Sequence, residues 1–282
     1  MSPPLDLSIL RHMLTYCRPS GSLVETLFIH RFIVPLGADK DAFGNWHVMV
    51  DDSPILWSSH TDTVHRQSEY QTIHTNGGII GLSKRSRKRA DCLGADDTAG
   101  VFLMTEMIKY GVPGHYIFHH GEEIGGIGSS DLAIYCGNLF ADIKYAIALD
   151  RKGTTDVITH QMGRCCSDDF ALSLATQLNK GGLAYAPSDR GLFTDTANYT
   201  EVIGECTNVS VGYEHCHSPR ETLDTNHLQR LFTALCALDQ SALIASRDPH
   251  DDDWGYDTPP LSYLTYLDPH YQDVQTALRR LR

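Results

Sequence analysis

The sequence predicts an α/β fold, a three-layer sandwich with a central mixed, mainly parallel sheet flanked by helices. Two observations lead there. The short apolar runs Ile55-Leu56-Trp57, Tyr116-Ile117-Phe118 and Tyr145-Ala146-Ile147-Ala148-Leu149 are of the kind buried in a parallel sheet. Between and after them lie stretches with apolar residues at helical spacing, so strands and helices alternate along the chain.

In chain order, the first ~35 residues read as two helices. Leu7, Leu10, Leu14 and Cys17 share one face, and Ser22-Leu23-Val24-Glu25 has the spacing of a capping box ahead of Leu27, Phe28 and Phe32. Gly44-Asn45 makes a turn, after which Trp46, Val48 and Val50 alternate as a strand. A helix over about 98–110 presents Val101, Met104 and Ile108. Further helices are expected near 127–136, over 168–178 and over 225–245, with a strand at Asn208-Val209-Ser210-Val211. No internal repeat or linker divides the chain, which reads as one domain over 1–282. Residues 248–282, beginning with the acidic stretch to Asp253 and continuing through Pro259-Pro260, read as a C-terminal extension.

Composition narrows the function. A chain of 282 residues can bury a substantial core, and 41% apolar with 21% charged residues excludes wholesale disorder. A formal charge of −12 argues against nucleic acid or anionic lipid as a partner. No run approaches the ~18 apolar residues of a membrane span, and Met1-Ser2-Pro3-Pro4-Leu5-Asp6 lacks the features of a signal peptide. Eight cysteines without a C-x-x-C pair read as free thiols, so a soluble cytoplasmic protein is expected. Five basic residues, Lys84, Arg85, Arg87, Lys88 and Arg89, read as a solvated hairpin tip that would attract acidic peptides if it lay near the active site. Fifteen histidines exceed what a core needs, and histidine is the commonest metal ligand.

Five segments place acidic or histidine side chains just after a buried strand or at a helix start, where open α/β sheets gather their sites. In Ser59-His60-Thr61-Asp62, residues i and i+2 point the same way, so Asp62 can steady a metal-binding His60. Gly94-Ala95-Asp96-Asp97-Thr98-Ala99-Gly100 carries more acid than a helix cap requires, and a carboxylate can bridge two ions. In Gly121-Glu122-Glu123-Ile124-Gly125-Gly126, glycines let the backbone turn, so one glutamate can bind metal while the other faces substrate as a base. Leu149-Asp150-Arg151 ends an apolar strand, and His217-Ser218-Pro219-Arg220-Glu221 supplies a further histidine beside an acid.

The ordered set H-x-D, G-A-D-D, G-E-E-x-G, L-D-R, H-S-P-R-E resembles the co-catalytic dinuclear zinc exopeptidases, the group of peptidase T and the bacterial leucyl aminopeptidases, over roughly Asp41 to Glu221. The resemblance implies the zinc-exopeptidase, phosphorylase/hydrolase-like form of the predicted sandwich. It also implies His60 and Asp150 on one metal, Glu123 and His217 on the other, and Asp96 bridging both. Glu122 would be the general base and Asp62 would orient His60. The turn Asp41-Ala42-Phe43-Gly44-Asn45 and the segment Phe193-Thr194-Asp195-Thr196 also match the group, and the Asp96–Asp97 peptide would be cis. Two divalent ions and a bridging hydroxide would balance Asp96, Glu123 and Asp150, avoiding unpaired buried charge. Zinc is expected, although cobalt or manganese suits the same nitrogen and oxygen ligands.

The sequence departs from the group at Thr98, where many relatives carry Lys, and in length. Only 66 residues separate Asp150 from His217, which leaves no room for the lid or dimerisation insert of peptidase T-like enzymes. Tyr213 and His215 are candidates to replace a lid histidine. The expected function is hydrolysis of peptide bonds, first as an aminopeptidase on short peptides. The alternatives are an N-acyl amino acid deacylase or carboxypeptidase, with Arg190 or Arg220 holding the substrate carboxylate, and an inactive binding module on the same scaffold. Both a monomer and a homo-oligomer are compatible with the sequence.

Overall fold

The computed structural model describes residues 4–250. Two helices, α1 (Leu7–Met13) and α2 (Leu23–Phe32), precede the strands β1 (Asp39–Lys40), β2 (Trp46–Val50) and β3 (Ile55–His60). A hairpin of β4 (Ile73–Asn76) and β5 (Ile79–Leu82) leads to α3 (Ala95–Tyr110), β6 (Gly114–His119) and α4 (Ile127–Tyr135). Then come β7 (Tyr145–Arg151), β8 (Asp156–Ile158), α5 (Asp168–Asn179), β9 (Ala186–Ser188) and β10 (Glu205–Ser210). The short strands β11 (Tyr213–Glu214) and β12 (Thr222–Asp224) run into α6 (Thr225–Cys236).

The main sheet has the order β1-β2-β6-β3-β7-β10-β8-β9. Its centre, β6-β3-β7-β10, is parallel, whereas β2 and β8 pair antiparallel with their inner neighbours. Every residue of those four central strands is buried, which explains the apolar runs of β3, β6 and β7; in β10 buried polar residues stand among the apolar ones. Successive residues still face opposite ways. Trp57, Tyr116 and Ile147 enter a core shared with α1, α2, α3, α5 and α6. Leu56, Ile117 and Ala146 enter a smaller core with Leu132 of α4, Phe140 and Tyr199. This is the expected three-layer sandwich.

Several local features depart from expectation. Ser22 caps α2, its hydroxyl accepting the Glu25 N–H at 3.1 Å, but Glu25 does not return the bond. Its buried carboxylate accepts from Gly21 N–H and from the Thr61 hydroxyl, both at 2.6 Å, and so ties α2 to the turn after β3. The last helix ends at Cys236 instead of continuing to 245. Asp239 there accepts the Ser241 N–H and starts a separate 3-10 turn over Gln240–Ala242. Strands β4, β5, β11 and β12 form a second, antiparallel sheet absent from the sequence reading. The basic segment is not a hairpin tip: it follows the hairpin on an exposed 3-10 turn at Ser86–Lys88. Most of the expected C-terminal extension lies outside the described residues. Among the described residues, no helix is long and apolar enough to cross a membrane.

One buried carboxylate fastens the end of the described chain to the sheet. Glu205 accepts the N–H groups of Ser167, Ser246 and Arg247 at 2.7, 2.7 and 2.9 Å, and the Ser167 hydroxyl at 2.8 Å. Removing it leaves the buried N–H groups of Ser167 and Arg247 unpaired, each costing about 1–3 kcal/mol. Glu205→Ala is therefore expected to lower unfolding free energy by at least about 2 kcal/mol in urea titration. A change within about 0.5 kcal/mol, the range of ordinary surface substitutions, would remove this role.

Candidate metal centre

The parallel strands β3, β6 and β7 deliver their carboxyl ends to one edge of the sheet. His60 is the last residue of β3, His119 the last of β6, and Asp150 the penultimate residue of β7. Helix α3 begins above that edge with Asp96 and Asp97, whose non-helical backbone angles and cis peptide turn their side chains towards it. It can lie this close because residue 100 is glycine: a Cβ there would collide with the Leu149 carbonyl. The Glu122–Ile124 segment forms a single 3-10 turn, entered through Gly121 at φ 71°. His217 comes from the second sheet, in the turn between β11 and β12.

These elements bring all seven sequence-derived residues to one place. His60 Nε2 lies 3.2 Å from Asp96 Oδ1 and 3.6 Å from Asp150 Oδ1. His217 Nε2 lies 3.2 Å from Asp96 Oδ2 and 3.3 Å from Glu123 Oε1. Asp96 thus presents one oxygen to each histidine. Glu122 Oε2 is 3.9 Å from His60 Nε2. Asp62 does more than steady His60, whose Nδ1 is 3.3 Å from its Oδ1. Its two oxygens also accept the N–H groups of Glu122 and Glu123 at 3.2 and 3.3 Å, so one carboxylate sets both the imidazole and the glutamate turn.

A further set of residues, not assigned these tasks from sequence, holds the acids in position. Glu221, fully buried, accepts N–H groups from Leu93, Gly94 and Asp96 at 2.7, 2.8 and 3.0 Å and anchors the start of α3. Thr194 donates to Asp150 Oδ2 at 2.7 Å. The side chain of Asn208 accepts the Asp150 N–H and donates to its carbonyl, each at 2.9 Å. Asp97 accepts the backbone N–H of His60 at 3.3 Å. Arg18, buried beneath the site, donates to the Thr61 carbonyl at 2.8 Å and to the Thr98 hydroxyl at 3.0 Å. Asn45 links the Asp41–Asn45 turn to the glutamate segment by accepting from His120 N–H and donating to the Gly128 carbonyl. His119 lies behind the site, between the Ser58 and Tyr199 hydroxyls at 3.1 and 2.6 Å, and burial drives its value down to about 3.

The electrostatics test whether cations suit this place. Burial, then the charge of Asp96, pushes Asp150 up to about 6 against the pull of His60. Burial also lifts Glu122 well above the ordinary carboxylate range, with Asp150, Asp195 and Asp96 adding to the shift and His60 opposing it. Burial raises Asp195 to about 7. Asp96 moves the other way: despite burial, hydrogen bonds from His217 and His60 hold it far below the usual range. The Asp96 carboxylate, with that of Glu123 close by, raises His217 to about 11. Carboxylates in this arrangement repel one another and are eased by positive charge. Glu123 Oε1 is buried and accepts no hydrogen bond. Donor atoms about 2.0–2.2 Å from a tetrahedral ion lie about 3.3–3.6 Å apart, and the histidine–carboxylate spacings match. The His60, Asp96 and Asp150 donors fit one divalent cation, and Asp96 turns its second oxygen to His217, beside Glu123.

The site opens to solvent. His217 has 51% of its side chain exposed, and the chain between Asp150 and His217 is occupied by β8, α5, β9, β10 and β11, with no covering domain. Of the two candidates to replace a lid histidine, Tyr213 lines the cavity and His215 does not. The Tyr213 hydroxyl is spent on Asp150, donating to its carbonyl at 3.0 Å, and His215 is exposed in a left-handed conformation. A cavity of about 160 Å³ contains the acids, with Leu192 and Phe193 on one wall and Arg151 and Lys152 on another. Arg190 and Arg220 do not line it. Arg190 belongs to a neighbouring depression of about 550 Å³ that contains none of the metal-site acids.

No family model matches the chain, and no curated protein matches its sequence. Solved structures do match its fold. A tripeptidase from Staphylococcus aureus superposes with a TM-score of 0.67 at 15% identity, covering 84% of this chain and 97% of that one. Aminopeptidase PepT from Bacillus cereus gives 0.66 at 14% identity, with the same coverages of 84% and 97%. The TET1 peptidase of Pyrococcus horikoshii, which can assemble into a tetrahedron or a large octahedral shell, gives 0.60 at 17% identity, covering 82% of this chain and 98% of that one. The chain therefore has the fold of these aminopeptidases and peptidases.

Proposed function

We propose that the chain is a metal-dependent peptide hydrolase, an aminopeptidase acting on short peptides through two divalent cations, zinc by preference, with Glu122 as general base. The observation that carries this reading is the division of Asp96 between His60 and His217, with the Glu122 carboxylate beside them. The fold shared with aminopeptidases supports it. His60, Asp96 and Asp150 would hold one cation, and Asp96, Glu123 and His217 the other. When bound, such ions polarise a scissile carbonyl and lower the pKa of an attacking water.

The chain's own groups supply the rest. Glu122 stands on a turn fixed by Asp62, so its carboxylate is presented towards the acids without a search of backbone conformations. A carboxylate held there can take a proton from water and return it to the leaving amine. Asp62 orients His60, and Thr194, Asn208 and Tyr213 fix Asp150. The small open cavity, walled by Leu192 and Phe193, suits one end of a short peptide.

A second reading, deacylation of N-acyl amino acids or carboxypeptidase action on the same centre, is favoured by Lys152. Its exposed side chain lines the cavity and offers a cation to a substrate carboxylate. A panel of amino-acyl anilides and N-acetyl amino acids separates the two. Turnover of anilides alone supports the aminopeptidase, and turnover of N-acetyl amino acids alone supports the alternative.

Glu122→Gln is expected to retain bound metal and to lose about 10²–10⁴-fold in kcat. Normal peptide hydrolysis by that variant would show the assigned base to be wrong. Chelation is expected to abolish activity, and zinc or cobalt to restore it. The cations should also raise the thermal midpoint of the chelated protein, because they bind only where the fold has gathered the ligands. Hydrolysis of the whole panel undiminished by exhaustive chelation would refute a metal-dependent reaction.

A further inference from the structure

Two sets of three metal-donor side chains, drawn from histidine, cysteine and acidic residues, have all their donor atoms within 4.8 Å of one another among the described residues. The first is His60, Asp96 and Asp150. The second contains Asp96 and His217, but its third member is Cys216 rather than Glu123. Cys216 lies in the turn between β11 and β12, lines the same cavity and is half-buried. His215 and His217, on either side, both adopt left-handed backbone conformations, at φ 56° and 57°. Cys216 and His217 therefore reach the cavity together, although adjacent residues of an extended strand would point to opposite faces. An independent feature marks the same place as a ligand position. Glu123, with 8% of its side chain exposed, directs a buried oxygen without a hydrogen-bond partner to within 3.3 Å of His217.

We propose that the Cys216 sulfur is a ligand of the second cation, completing with Asp96, Glu123 and His217 a mixed oxygen, nitrogen and sulfur set. The proposal rests on the dinuclear reading above. On binding, a sulfur–metal bond forms, and the thiol proton passes to solvent, as coordinated thiols give up their protons outright. The two positions then differ in kind. The His60 position has only nitrogen and oxygen donors, whereas the His217 position has a soft thiolate. Zinc, cadmium and cobalt bind well to such a set, and manganese, which prefers carboxylate and water, binds poorly.

Cobalt reports the bond directly. The chelated full chain is titrated with Co²⁺ and its absorption followed, the visible bands reporting cobalt uptake and near-ultraviolet thiolate-to-cobalt charge transfer reporting the sulfur ligand. The wild-type chain is expected to show both, and Cys216→Ser to keep the visible bands and lose the charge-transfer band. In parallel, and without any substitution, zinc loading should slow alkylation of Cys216 by about tenfold or more, read by mass spectrometry, because metal occupies the nucleophilic sulfur. Visible bands without charge transfer in the wild type, charge transfer that persists in Cys216→Ser, or alkylation that zinc leaves unchanged would each overturn the ligand and leave the dinuclear reading standing. Failure of the chain to take up cobalt at all would overturn both.

Discussion

The constraint that organises this molecule is the crowding of carboxylates around two imidazoles at a buried sheet edge. Asp62, Asp96, Asp97, Asp150, Glu122 and Glu123 converge there, and three of them, Asp97, Asp150 and Glu122, are shifted by burial and by neighbouring carboxylates towards holding protons. Buried like charges are costly unless paired. The arrangement is intelligible as a cradle for positive charge, with Asp96 turned so that its two oxygens serve two different histidines.

Much of the surrounding structure answers to that crowding. Parallel strands bring His60 and Asp150 to the same edge, and a glycine at position 100 lets α3 carry Asp96 close above them. Hydrogen bonds then remove the remaining freedom. Glu221 gathers three N–H groups at the start of α3, and Asp62 gathers two at the glutamate turn. Asp150 is held by Thr194, Asn208 and Tyr213. Each supporting group is buried and partnered, so the acids are positioned by the fold before any ion arrives. The cover is different: among the described residues, half of the His217 side chain is exposed.

Strands β3, β6 and β7 were legible because burial on both faces leaves apolar runs, and the candidate ligands because they lie after such runs, at a helix start or in a short acid and histidine motif. Their supports were legible only in part. Asp62 was assigned to His60, and Glu221 and Thr194 fall in matching segments, but only long-range contacts show what Glu221, Thr194 and Asn208 accept or donate. Glu25 illustrates the limit: its spacing from Ser22 suggests a capping box, yet a longer-range bond to Thr61 takes its carboxylate. Strands β8, β9, β11 and β12 have at most three residues each, too few to show a period. The end of α6 was missed because Asp239 begins a new turn where the helical spacing of apolar residues continues. Cys216, hidden between two histidines, gave no sign of facing the same cavity as His217.

Anomalous X-ray diffraction at the zinc edge, from crystals grown with zinc, tests most directly whether two cations share Asp96. Two anomalous peaks on opposite sides of the Asp96 carboxylate are expected, one beside His60 and Asp150 and the other beside Glu123 and His217. A single peak, or none within bonding distance of Asp96, would contradict that sharing.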